Sequence, residues 1–105
     1  MTRRRLPFVV EALLAALVAA VPLARQEDAR ERAERAYRAA NRGVAFLEQF
    51  DYGQAADAFR QALAIDSDLP AVHLNLAIAL LYAGDPEAAL PEARTAAAGL
   101  PDRPQ

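Results

Sequence analysis

The chain has no cysteine, no tryptophan and no lysine. Without a thiol there is no disulfide framework, no thiol nucleophile and no cysteine-built metal site. All 12 basic residues are arginine, and the single imidazole is His73. A lone His without a nearby Cys or carboxylate pair on one face is a poor ligand or general base, so a packed or surface role is expected for it. Hydroxyl groups outside tyrosine are confined to Thr2, Ser67 and Thr95, and no glycine-rich phosphate loop or serine elbow is present. Asp66 and Asp68 lie close together in a loop, where turn and cap roles explain them. These absences point away from an enzyme, and no cofactor or metal is expected.

What is present is unevenly distributed. Residues 1–25 carry four Arg against one acid, Glu11, whereas the remainder carries eight Arg against thirteen acids. The arginines do not cluster on the folded part, so no nucleic-acid footprint is expected. At 105 residues the chain has room for one small domain. Arg3, Arg4 and Arg5 precede an apolar run from Leu6 to Ala24, interrupted by Glu11 and bounded by Pro7 and Pro22. Basic residues ahead of an apolar stretch hold that end on the cytoplasmic side, and the run is at the short end of what spans a bilayer. Three readings compete for residues 1–24: a retained membrane anchor, a signal peptide cleaved near Val18-Ala19-Ala20, and a buried helix of a soluble protein. The first two send the rest of the chain out of the cytoplasm, to a periplasmic or extracellular site or to secretion. The anchor is the leading reading, with membrane contact through residues 6–24.

From Arg25 to Gln49 there is no proline, and Ala29, Ala33, Ala36, Ala40, Val44 and Leu47 recur at three- and four-residue spacing. That is one face of a helix. Its other faces pair opposite charges four apart: Asp28 with Arg32, Arg30 with Glu34, Glu31 with Arg35, Glu34 with Arg38. Each pair adds only a few tenths of a kcal/mol, so residues 25–35 read as a charged, solvated helical linker.

The strongest signal is a repeat. Residues 36–69 and 70–103 superpose at a constant offset of 34: Asn41 on Asn75, Leu47 on Leu81, Asp51 on Asp85, Ala55 on Ala89, Ala62 on Ala96. A period of this size marks stacked units rather than a single globular core. Each copy holds two helical runs around a short break with Asp, at Phe50-Asp51-Tyr52-Gly53 and at Gly84-Asp85-Pro86. Asp51 and Asp85 are expected to cap the second helix of each copy, and Asp68 with Pro70 to open the helix between them. Pro86 suits a first helical position. Pro91 falls inside the last helix, where a kink or a late start is expected. That helix is Ala-rich, buries little, and should be the weakest element.

Small residues at Gly43, Ala55, Ala62, Ala77, Ala89 and Ala96, large ones at Phe46, Phe59 and Leu80, and Pro101 stand where a known family places them. The chain resembles the tetratricopeptide repeat. Ala39 and His73 replace the family's usual Trp, and Ala93 replaces an aromatic. The resemblance implies an all-α solenoid of about two helix-turn-helix repeats, behind the N-terminal apolar helix and the charged linker. It implies a protein-binding scaffold, with the first helix of each repeat lining a concave groove. The family's groove positions fall on Tyr37, Asn41, Val44, Leu47, Leu74, Asn75, Ile78, Leu81 and Tyr82. Only the two Asn are polar, apart from the tyrosine hydroxyls, so a clamp for a peptide carboxylate is not expected. About three repeats are normally needed for a stable stack, and residues 104–105 begin where a third copy would start. Two function readings follow: a membrane-tethered or exported scaffold binding a protein or peptide through its apolar groove, or the leader and repeat arm, truncated here, of a larger multidomain exported bacterial protein, an enzyme among the options. In either, further repeats or self-association would cover the exposed end.

Overall fold

The computed structural model describes the backbone of residues 8–101 and the side chains of residues 28–101. Four helices follow in order: α1 (Phe8–Glu48), α2 (Tyr52–Ile65), α3 (Pro70–Tyr82) and α4 (Pro86–Gly99). No strand occurs among the described residues. The anchor and signal-peptide readings rest on side chains outside the described residues. Among the described residues no helix is long and apolar enough to cross a membrane.

Residues 32–105 form a unit of their own, built as two helical hairpins with the same turn. In the first, the Phe50 amide donates to the Leu47 carbonyl and the Asp51 amide to Phe46. In the second, the Gly84 amide donates to Leu81 and the Asp85 amide to Leu80, each pair at the 34-residue offset from the first. This double closure is a Schellman motif and needs a left-handed residue just past the helix. Phe50 (φ 58°) and Gly84 (φ 88°) fill that place. The next residue then caps the following helix: Asp51 accepts from the Gln54 amide and Asp85 from the Ala88 amide, each at 3.2 Å. The expected Asp caps are therefore present, and each is also the closing residue of the preceding helix.

Ten of the fourteen buried apolar residues are alanine, so the helices approach closely and few large side chains fill the core. Phe59 and Leu76 are the largest fully buried ones. Phe59 lies flat against Gly43, where a Cβ would fall 2.5 Å from its ring. The α1–α2 crossing thus requires the missing side chain. Burying one such ring stabilises by about 1.5–3 kcal/mol.

Several local expectations are corrected. The buried side of α1 is Ala36, Ala39 and Gly43, while Ala29, Ala33 and Val44 are exposed. At 1.5 Å per residue, the 14 residues of α2 reach back from the turn only to about Ala36, so nothing on α2 covers earlier positions. Of the four charge pairs expected on α1, only Glu34 with Arg38 closes, at 3.9 Å, with both side chains about 60% exposed. Asp68 does not cap α3. Leu69 holds that position without a side-chain bond, while the Asp68 amide turns back to the Asp66 carboxylate at 3.0 Å. Nor does α4 start late: it runs unbroken from Pro86 through Pro91. Pro91 removes only the bond to the Glu87 carbonyl, and both residues are exposed, so water satisfies it. The weakness expected of α4 has a counterpart in its burial, which is limited to Ala89 and Ala96.

Candidate binding groove

The nine groove positions lie on the first helices, α1 and α3, but they do not form one basin. Tyr37, Asn41 and Val44 of α1 face Asn75 of α3 across a groove of about 360 Å³, floored by Ala36, Ala40 and Val72. Leu74, Ile78 and Leu81 of α3 instead join Pro86, Leu90 and Ala93 of α4 around a recess of about 520 Å³. Leu47 and Tyr82 meet Phe50, Tyr52 and Ile78 in a third recess near the interhelical turns. There Tyr52 stacks on Tyr82, with ring centroids 5.2 Å apart and planes inclined by 19°. Such a pair adds roughly 0.5–1.5 kcal/mol beyond its buried area.

Exposure makes these surfaces available. Tyr37 is 69% exposed, Leu81 58% and Leu90 52%, with Val44, Leu74 and Ile78 near 40%. No basic side chain lines any of the three recesses, and Asp66 is their only acid. The three recesses thus offer apolar walls and the two amides of Asn41 and Asn75, with no cation in their lining. Pro86, Leu90 and Ala93 were absent from the expected site because they belong to a second helix. One signal pointed to Leu90. The 34-residue offset puts it opposite Ala56, a large residue where the first copy has a buried small one.

His73 has a role the sequence pattern did not reveal. Its Nδ1 lies 2.6 Å from the Glu92 carboxylate of α4, and its Nε2 2.8 Å from the Ser67 carbonyl. Both partners only accept, so the ring satisfies both when both nitrogens carry a proton. The His73 pKa is accordingly raised above its ordinary 6.5, first by the Glu92 hydrogen bond. Partial burial opposes this, and the Ser67 carbonyl and the charges of Glu92 and Asp68 add to it. The ring thus pins the loop before α3 to the middle of α4. Among the described residues no group of three potential ligands could hold a metal ion.

The repeat, the left-handed turn with its Asp cap, and the Gly43–Phe59 crossing agree with a family-level comparison: the tetratricopeptide repeat model matches residues 46–105. The chain belongs to the tetratricopeptide repeat family. The matched segment takes in the end of α1 and all of α2, α3 and α4. No curated protein and no solved structure matches the chain. Tetratricopeptide repeats generally serve as non-enzymatic scaffolds for protein–protein interaction.

Proposed function

We propose that the protein is a tetratricopeptide repeat scaffold that is membrane-tethered or exported, and that it holds an apolar segment of a partner protein in the groove between α1 and α3. The observation that carries this reading is the exposed pair Tyr37 and Val44 of α1, which line the groove opposite Asn75 of α3. An apolar surface of this kind, left open by a folded domain, is a binding feature. The tether is supported by the sequence alone, through Arg3–Arg5 and the run from Leu6 to Ala24.

The test is capture from membrane and soluble fractions of the source cells by the full-length chain and by the double variant Tyr37→Glu/Val44→Glu. Both residues are more than a third exposed, so helical circular dichroism should be retained while capture is lost. Equal capture by both proteins would refute the groove. Recovery of the native chain only from soluble fractions, without a shortened N-terminus, would refute the tether and export.

A further inference from the structure

The repeat supplies a template for the surface made by α3 and α4. Shifted back by 34 residues, Leu90 and Ala93 become Ala56 and Phe59, and Ala89 becomes Ala55. In the first copy α2 packs against α3, and these residues are at most 3% exposed. In the second copy, among the described residues, no helix lies beyond α4, and Leu81 and Leu90 are more than half exposed. The stripe continues along α4 through Ala97 to Leu100, flanked on one side by the exposed Arg94. This is the inner face of a stack, open to solvent.

The opposite end differs. Val72 and Leu76, which α3 buries in the core, correspond to Arg38 and Arg42 on α1. Both arginines are exposed, Arg38 near Glu34 and Arg42 bonded to Gln61 at 3.2 Å. Two copies can meet by these ends in three ways. Front to front sets like charges together. Front to back buries Arg42, and Arg38 with its partner Glu34, against a recess lined by no carboxylate, and taking such charges out of water costs several kcal/mol per ion. Back to back covers both apolar faces, whose recess is lined by no charge; Arg94 lies at the margin of the stripe, where its long side chain can stay in water, and small residues at Ala93 and Ala97 let the two α4 helices approach.

We propose that the α3–α4 face docks on the same face of a second copy, giving a two-fold dimer in which each copy covers the other's open end. An isologous contact of this kind closes on itself and stops at two subunits. It is separate from the α1–α3 groove, so the two can be tested independently.

Because the chain has no cysteine, single-cysteine variants report contacts without background. The full-length chain in mild detergent, carrying Leu90→Cys, should form a covalent dimer with a short bis-maleimide, and Arg38→Cys should not. Sedimentation of the unmodified chain should show a mass rising with concentration to twice 11.3 kDa. In Leu90→Glu the dimer dissociation constant should rise at least about tenfold, equivalent to about 1.4 kcal/mol, with helical content unchanged. Val44→Glu, a groove variant, should dimerise normally. A monomer at all concentrations would overturn the proposal. So would a dimer that persists in Leu90→Glu, which would place association elsewhere, or cross-linking at Arg38 equal to that at Leu90.

Discussion

The substitution Gly43→Ala isolates the contact on which the first hairpin depends. In the interior of a helix this change ordinarily stabilises by about 1 kcal/mol. Here the new methyl would fall 2.5, 2.6 and 2.8 Å from Cε1, Cδ1 and Cζ of Phe59. Carbon atoms in contact sit about 3.5–4 Å apart, so three ring atoms would be overlapped by about 1 Å. The ring has no room to retreat. Phe59 is 0% exposed, and Ala39, Ala55 and Ala62, at 0–1%, belong to the same cluster. The helices must part instead. Overpacking of this kind costs about 1–3 kcal/mol, and the overlap of three rigid atoms argues for the upper half. After the propensity gain, a net loss of about 1–2 kcal/mol is expected.

Urea unfolding followed by far-ultraviolet circular dichroism measures this directly. Gly53→Ala is the control, because nothing lies within 4 Å of a Cβ there and φ is not left-handed. It should be neutral or stabilising by up to about 0.5–1 kcal/mol. Adding Phe59→Leu to Gly43→Ala supplies the decisive comparison. Leu is smaller and flexible where the ring is not, so the double variant should be more stable than the sum of the singles predicts, by at least about 0.5 kcal/mol. A stabilising Gly43→Ala, or strict additivity with Phe59→Leu, would show that the crossing does not depend on this fit.

Two further outcomes follow from local geometry. Phe50 occupies the left-handed position that Gly84 fills in the second copy, and its side chain is 76% exposed. Phe50→Gly should therefore stabilise by about 1 kcal/mol, read from the same urea midpoints, and a loss of stability would mean that the ring's contacts in its recess outweigh the strain. The His73–Glu92 pair sets a pH dependence. A pKa raised by folding adds stability that is complete below the unfolded value and is lost as pH rises through the folded one. The stability gap between the wild-type chain and Glu92→Gln should thus be widest near about pH 5.5 and shrink towards about pH 9, and a flat gap would remove the charged pair from the account.

How far the fold could be read in advance follows from which interactions are local. The two Asp caps and Pro86 at a first helical position depend on residues within one turn of each other, and the structure places them as the spacing implies. The failures are non-local or competitive. Asp68 has a cap residue's chemistry, but its backbone is engaged by Asp66 while His73 closes the same loop from α3. That closure needs Glu92, 19 residues further on, and no periodicity links the two. On α1 the apolar spacing picks out a broad side of the helix. Only the reach of α2 and the fit of Phe59 decide that Ala39 and Gly43 are buried and Val44 is not.

The same logic explains why the nine groove positions divide. A first helix in a stack has three neighbours: its own second helix, the helix before it and the one after. Ile78, for example, lines both the recess beside the interhelical turns and the one shared with α4. Among the described residues no helix lies beyond α4, and there those two roles share one exposed apolar surface. On α1 the corresponding side is already partly closed by α3, leaving Tyr37 and Val44 at the lip of a narrower groove. Equivalent sequence positions thus meet different surroundings, and the difference is greatest at Leu90, which has no buried counterpart larger than Ala56. A charge placed at position 90 separates the roles: it should disturb whatever covers the α3–α4 face, while leaving the Tyr37–Val44 groove unchanged.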